Sequence, residues 1–190
     1  MKISTFLFSL LTPAFLSAQS ENDIRNYYNE VNNQIKESIE NGYEGPLFNN
    51  HWIVNKNGRS WPAVGIYEGI TDFWYNDTPD HIDEGQKLET VLLKVITKQR
   101  STSYVINEEY LFQNGKLVFF YSRLDEGGDI WETRYFFNFS GKEIKEKIRF
   151  NEKDLSKKEA TSDQYKDIIT TPEKAINNGR KFQELFIKSM

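Results

Sequence analysis

The chain has 190 residues, of which 38% are hydrophobic and 15% aromatic, and this length and composition suit a single globular domain. It carries 28 acidic against 24 basic residues, and the net charge of −4 argues against a nucleic-acid partner or an anionic membrane surface. Cysteine is absent, which excludes a disulfide framework and a lipid-anchored bacterial lipoprotein.

The first eighteen residues are typical of a secretory signal peptide. Lys2 supplies a positive start, an almost unbroken apolar run extends from Ile3 to Leu11, and Ser17-Ala18 offer small residues for cleavage. The run is well short of the ~20 residues that a membrane-spanning helix needs. We therefore expect cleavage after residue 18, export to a bacterial periplasm or exterior, no membrane span in the mature protein, and one domain over residues 19–190.

An amphipathic helix is predicted over residues 20–41. Ser20 with Asp23 resembles a capping box, and Gly42 can end the helix. The apolar residues that recur at helical spacing are Ile24, Tyr27, Tyr28, Val31, Ile35 and Ile39.

Strands and tight turns follow this helix, as a predicted antiparallel meander over residues 51–150. The candidate strands are 51–56, 60–75, 88–98, 102–112, 116–124, 130–138 and 142–150. Asn57-Gly58 and Asn114-Gly115 are strong two-residue hairpin signals, because a type I′ turn needs positive φ at both central positions.

The polar loop 76–87 holds the densest set of potential metal ligands, with Asp77, Asp80 and Asp83 around His81. Calcium takes about six to eight oxygen ligands, and the spacing here departs from that of an EF-hand loop. A solvated acidic turn is the favoured interpretation, and the three aspartates are weak candidates for a metal site. No cofactor is expected.

Two segments repeat a pattern in which tyrosine and phenylalanine lead into a turn. Residues 109–116 read Glu-Tyr-Leu-Phe-Gln-Asn-Gly-Lys, and residues 134–142 read Arg-Tyr-Phe-Phe-Asn-Phe-Ser-Gly-Lys. The pattern loosely resembles the hairpins of uncharacterised exported bacterial proteins and, less closely, those of MORN-like repeats. The resemblance covers under a third of the chain, and it implies a hairpin without implying an activity.

The hairpin at Asn114-Gly115 sets the expected register of the central strands. A two-residue loop places Phe112 opposite Leu117 and Tyr110 opposite Phe119. With a five-residue turn at 125–129, one face is expected to collect Ile106, Tyr110, Phe112, Leu117, Phe119, Tyr121, Trp131, Tyr135 and Phe137. The more polar face carries Val105, Asn107, Glu109, Leu111, Val118, Phe120, Glu132, Arg134 and Phe136. We therefore expect the aromatic face to be buried.

Two charged residues fall on the expected aromatic face, Glu108 and Arg123, diagonally across the hairpin. They form either a structural ion pair at the rim, with Arg123 stacked on Trp131, or a polar anchor in an aromatic-lined ligand cavity. The structural pair is the favoured interpretation. The ligand hypothesis has as its candidate binding residues Glu108, Tyr110, Phe119, Tyr121, Arg123, Trp131 and Tyr135.

The strand 142–150 leaves two registers open. It alternates an apolar set with a basic set, namely Ile144, Ile148 and Phe150 with Lys145, Lys147 and Arg149. A two-residue Ser140-Gly141 loop places the apolar set on the aromatic face, whereas a three-residue loop that starts at Phe139 places the basic set there. The first register is favoured because burying three cations is costly.

The end of the chain is predicted as a polar loop over residues 151–170 and a helix over residues 172–188. Thr171 can cap this helix, and Pro172 suits its first position.

These predictions describe an α+β fold that is mainly antiparallel β. About seven strands form a meander, as a curved sheet or a partly closed barrel, with an N-terminal and a C-terminal helix. The leading hypothesis is an exported non-catalytic binding or interaction protein, whose aromatic face holds a small apolar or sugar-like ligand or a protein partner.

Two other functions stay open. The first is an exported hydrolase that uses His51 or His81 with nearby carboxylates such as Asp77, Asp80 or Asp83, and it requires a histidine and an acid to meet in one cleft. The second is an envelope or secretion component, which would show an exposed apolar patch and self-association.

Overall fold

The computed structural model describes residues 19–62, 65–76 and 91–190. The predicted signal peptide and the candidate metal ligands lie outside the described residues, as does His81. Among the described residues, no helix combines the length and the apolar character needed to span a bilayer.

The described part of the chain has three helices, each of which begins where the sequence supplies a cap. Helix α1 spans Glu21–Glu40 and starts with the predicted capping box, in which the Ser20 hydroxyl accepts a hydrogen bond from the Asp23 backbone amide. Helix α3 spans Pro172–Ser189 and is capped by Thr171. A short helix α2, Lys157–Ala160, lies inside the predicted polar loop and begins with a second capping box, Ser156 with Glu159.

Within the described ranges, nine strands form one open antiparallel sheet. Their bounds are β1 Phe48–Val54, β2 Ser60–Trp61, β3 Gly65–Asn76, β4 Val91–Ser101, β5 Tyr104–Gln113, β6 Lys116–Glu126, β7 Asp129–Phe137, β8 Glu143–Phe150 and β9 Lys153–Asp154. The order is β1-β3-β4-β5-β6-β7-β8-β9, and β2 pairs with β3. The predicted meander between two helices is therefore confirmed as an open sheet, while the two-residue strands β2 and β9 raise the strand count above seven.

The sheet lies between α3 and α1, so each of its faces is buried by a different helix. The α3 face is the one that carries Phe73, Tyr75, Leu92, Val95, Tyr110, Phe112, Leu117, Phe120, Tyr135 and Phe137, packed against Ala175 and Phe186. The α1 face carries Trp74, Leu111, Val118, Phe119 and Phe136, packed against Ile24, Val31 and Ile35 of the helix. On the α3 face, Trp131 and Ile148 also pack against Ala160 and Ile169 from the segment between β9 and α3.

A β-bulge in β6 corrects the predicted register. The two-residue turn at Asn114-Gly115 and the Phe112–Leu117 pair form as expected, with Asn114 at φ 52° and Gly115 at φ 67°. The next pair is Leu111 with Phe119, so Val118 is an extra residue in β6. Tyr110 therefore pairs with Phe120, and Phe119 points to the opposite face from Tyr110.

The turn between β6 and β7 is also shorter than predicted. Glu126 pairs with Asp129 around Gly127-Gly128, which have φ 62° and 97°, so the loop has two residues instead of five. Trp131 consequently lies opposite Leu124, and Arg123 lies opposite Glu132. The bulge and the short turn together leave β5 and β7 on their predicted faces and reverse β6 from Phe119 onward.

The last hairpin has the favoured register but not the favoured loop. Asn138 donates a backbone hydrogen bond to Lys142 across a three-residue loop, and a register shift between Phe136 and Phe137 compensates for the extra residue. Ile148 and Phe150 thus lie opposite Thr133 and Trp131. The cations Lys145, Lys147 and Arg149 lie on the α1 face.

Candidate functional site

The reversal of β6 divides the predicted binding residues between the two faces of the sheet. Glu108, Tyr110, Trp131 and Tyr135 lie on the α3 face, whereas Phe119, Tyr121 and Arg123 lie on the α1 face. The predicted ion pair between Glu108 and Arg123 does not form, because the sheet separates them. Glu108 lies opposite Ser122 instead, and Arg123 lies opposite Glu132.

The residues on the α3 face are covered by packing. Tyr110 is fully buried against Phe182 of α3, with ring centroids 5.0 Å apart, and its hydroxyl donates a 2.8 Å hydrogen bond to Glu108. The Tyr135 hydroxyl donates to the Thr170 carbonyl at 2.9 Å. These four residues therefore belong to the buried core beneath the C-terminal helix and the segment that precedes it.

An open cavity lies on the other face, between α1 and the sheet. Its volume is about 410 Å³, and its lining residues are Arg25, Tyr28, Asn29, Phe119, Tyr121, Arg134 and Phe136. Phe119 and Phe136 are buried and form its floor, and Arg25 and Asn29 are exposed on α1. Two of the predicted binding residues, Phe119 and Tyr121, line this cavity.

The floor consists of aromatic rings in direct contact. The centroids of Phe119 and Phe136 lie 4.9 Å apart, and Tyr28 meets the Phe119 ring edge-on at 5.2 Å. Tilted and edge-to-face pairs at these distances are favourable beyond the area that they bury. The floor is therefore a fixed apolar surface.

The Tyr28 wall is held by a buried polar network. The ammonium of Lys94, only 2% exposed, lies 2.6 Å from both the Glu109 carboxylate and the Asn32 side-chain oxygen, and 4.3 Å from the centre of the Tyr28 ring. The Tyr28 hydroxyl donates to Glu109 at 2.8 Å. Burial lowers the pKa of Lys94, and Glu109 opposes that shift. Burial beside Glu109 raises the pKa of Tyr28 to about 12, so the hydroxyl stays a donor.

The Tyr121 wall is held by a second network. The Arg134 Cζ atom lies over the Tyr121 ring, 4.8 Å from its centre, and the Tyr121 hydroxyl donates a 2.8 Å hydrogen bond to Glu132. Arg134 also pairs with Glu132 at 3.2 Å. Burial alone would raise the pKa of Glu132, but the Tyr121 hydroxyl and the arginine outweigh it and hold that pKa below its ordinary value. Burial and Glu132 raise the pKa of Tyr121 to about 12.

Arg25 completes the cavity from the helix side. Its guanidinium lies 4.9 Å from the centre of the Phe136 ring, and its Nε and Nη2 atoms donate to Glu21 at 3.0 and 2.7 Å. Both arginines of the cavity are thus oriented by an aromatic ring and a carboxylate. An apolar floor with two guanidiniums and the Asn29 amide can hold a small molecule that has an apolar body and polar substituents.

Sequence reasoning missed five of the seven lining residues. Arg25, Tyr28 and Asn29 are brought to the site by the packing of α1, which hairpin registers do not specify. The predicted register puts Arg134 and Phe136 on the more polar face, away from Phe119 and Tyr121. The repeated Arg134–Phe137 motif was the available signal, because its alternation sends an arginine and a phenylalanine to the same side.

One histidine lies beside a carboxylate, as the hydrolase hypothesis requires. His51 Nδ1 lies 2.7 Å from Asp72 Oδ1, and the imidazole is about half exposed. A carboxylate in this position orients an imidazole that acts as a base. His51 is not among the residues that line the cavity between α1 and the sheet. The carboxylates named for the hydrolase lie outside the described residues, so that function stays a prediction.

No group of three or more His, Asp or Glu side chains among the described residues is positioned to hold a metal ion. Comparison of the chain with protein-family models, curated proteins and solved structures finds no match.

Proposed function

We propose that this chain is an exported, non-catalytic binding protein that holds a small ligand with an apolar or sugar-like body in the cavity between α1 and the sheet. The observation that carries the proposal is the lining itself, in which touching aromatic rings lie beside two guanidiniums and an amide. The volume of about 410 Å³ falls in the ordinary range for small-molecule sites.

Rigidity of the walls supports a binding role. Tyr28 is fixed through Glu109 and Lys94, and Tyr121 is fixed through Glu132. A site whose side chains are already held in place loses little conformational freedom when a ligand enters, which favours affinity. Rings of this kind suit the flat faces of apolar groups and sugar rings.

Export is the second part of the proposal. It is supported by the positive, apolar and small-residue segments of the first eighteen residues. The absence of cysteine fits a protein whose stability comes from packing alone.

Binding can be tested with N-phenyl-1-naphthylamine, a neutral fluorophore that brightens in apolar pockets. The full chain is expected to bind it saturably, and Asn29→Trp is expected to weaken binding at least about tenfold, because the indole fills the cavity mouth. Asn26→Trp is the matched control, since Asn26 is exposed on the same helix outside the lining. Equal binding by both variants, or no saturable signal with the wild-type chain, would contradict the proposal.

A further inference from the structure

Resting on the proposed function, we infer that the ligand of the α1 cavity is a small organic acid, whose carboxylate is bound by Arg134 and Arg25. The inference depends on the charges of the lining and of the residues behind it. The lining has a net positive charge, whereas the whole chain has a net charge of −4.

The residues that line the cavity include two cations and no carboxylate. The chain as a whole has more acidic than basic residues. A surface with this local excess of positive charge concentrates anions from solution and repels cations. The lining therefore selects among molecules of similar shape by their charge.

The carboxylates behind the walls do not cancel this excess. Glu109 is neutralised by the buried Lys94, and the other two are each shared between two cations. Glu21 lies 2.7 Å from Arg25 and 3.8 Å from Lys145. Glu132 lies 3.2 Å from Arg134 and 3.7 Å from Arg149.

Asp154 extends the pattern along the edge of the sheet. It pairs with Arg149 at 2.8 Å and with Lys147 at 3.7 Å. This cluster thus sets five cations, Arg25, Arg134, Lys145, Lys147 and Arg149, against three carboxylates. An added carboxylate reduces the net positive charge of the cluster.

The guanidiniums also have donors to spare. A guanidinium has five N–H groups. Arg134 gives Glu132 two hydrogen bonds, at 3.2 and 3.5 Å, which are long for bonds between charged groups. The Arg134 Cζ atom lies 4.8 Å from the centre of the Tyr121 ring, at the cavity wall. A planar carboxylate in the cavity can accept two hydrogen bonds from one guanidinium.

The test compares two matched pairs of probes by titration calorimetry on the full chain: 4-phenylbutyrate with 4-phenylbutanol, and methyl β-glucuronide with methyl β-glucoside. In at least one pair the acid is expected to bind about tenfold more tightly than its neutral partner, a preference that decreases as salt is added. Arg134→Gln is expected to remove most of that preference while the neutral partner binds as before. Arg134→Lys should retain part of it.

Arg59→Gln is the control, because Arg59 lies on the turn after β1, outside the cavity, and its loss changes the net charge equally. Arg134→Gln leaves Glu132 with two partners, Arg149 and the Tyr121 hydroxyl. Thermal unfolding of Arg134→Gln should therefore show a folded protein.

The outcomes separate the two proposals. Neutral probes that bind as tightly as the acids, or an acid preference that Arg134→Gln leaves intact, would overturn the inference and leave the binding function standing. If all four probes fail to bind at millimolar concentration while N-phenyl-1-naphthylamine binds, the inference is overturned and the binding function stands. If N-phenyl-1-naphthylamine fails too, the proposed function falls and the inference falls with it.

Discussion

Glu108 lies in a row of buried polar side chains that crosses the α3 face of the sheet. Directly opposed pairs connect Thr97, Glu108, Ser122 and Thr133 across four strands, and all four are buried. The Thr97 hydroxyl has no hydrogen-bond partner among the described residues. Burial raises the pKa of Glu108 above its ordinary value of 4.5, although the Tyr110 hydroxyl and the charge of Lys174 oppose the shift. The row therefore holds a carboxyl group that is less stable in its charged form than it would be in water.

Replacement of this carboxyl should stabilise the protein at neutral pH. Because the folded state raises the pKa of Glu108, the contribution of this residue to stability is fully present below pH 4.5 and is lost as pH rises through the folded-state pKa. Glu108→Gln removes the buried charge, and we expect its free energy of unfolding near pH 7 to exceed that of the wild type by on the order of 1 kcal/mol. Urea unfolding from pH 4 to pH 7 measures the difference, which should grow with pH.

The exposed Glu126 of the same strand pair provides the control, because Glu126→Gln should change stability little at any pH. A stability difference for Glu108→Gln that does not vary with pH would show that folding does not raise the pKa of Glu108.

At the scale of elements, the helix caps and one of the two strong turn signals predicted the structure correctly. The hairpin predicted at Asn57-Gly58 is wrong, because only Gly58 has a positive φ and both β1 and β2 pair with β3. Caps at Ser20 and Thr171 placed both long helices to within a residue or two, and Asn114-Gly115 placed the central hairpin. The bulge had no such signal. Residues 117–121 are all apolar or aromatic, so alternation gives no indication of which side chains share a face, and both registers bury rings.

The candidate site was predictable only in part for the same reason. Phe119 and Tyr121 were identified as binding residues, but their neighbours came from β7 and from α1. Which face of the sheet receives α1, and which receives α3, depends on packing between elements far apart in sequence. Composition and hairpin register do not contain that information.

Helix α3 carries a glycine in its interior, Gly179, where a helix ordinarily favours alanine. A Cβ atom there would lie 3.5 Å from Leu117 and from Phe112, which is ordinary van der Waals contact. We expect Gly179→Ala to raise the free energy of unfolding by about 0.5–1 kcal/mol, because it lowers the entropy of the unfolded chain and adds apolar contact. The midpoint of urea unfolding measures this change.

Gly128→Ala is the opposite case, because Gly128 has φ 97° and an alanine there is strained, so that variant should be less stable than wild type. Destabilisation by Gly179→Ala would mean that α3 lies closer to the β5–β6 hairpin than the 3.5 Å contacts indicate, with no room for a Cβ atom.

At the scale of the whole molecule, the sheet formed by the described residues has two edges of different character. At one edge, β8 carries Lys145, Lys147 and Arg149 and is partly covered by the two-residue β9. Cations and short strands are the usual means by which a sheet avoids pairing with another chain. At the other edge, β1 has seven residues and no Lys, Arg, Asp, Glu or Pro. Its exposed apolar side chains are Phe48, Trp52, Ile53 and Val54.

We expect the β1 edge to pair with the β1 edge of a second copy at high concentration. Two uncharged strands can meet antiparallel about a two-fold axis without placing like charges opposite each other, and the exposed apolar side chains of both copies would then lie together. Ile53→Lys should abolish this self-association, since it adds the kind of charge that protects β8. Phe139→Lys, which changes an exposed ring in the β7–β8 loop, should leave it intact. Sedimentation equilibrium measures the effect, and a wild-type chain that stays monomeric, or a dimer that persists in Ile53→Lys, would show that β1 does not pair between copies.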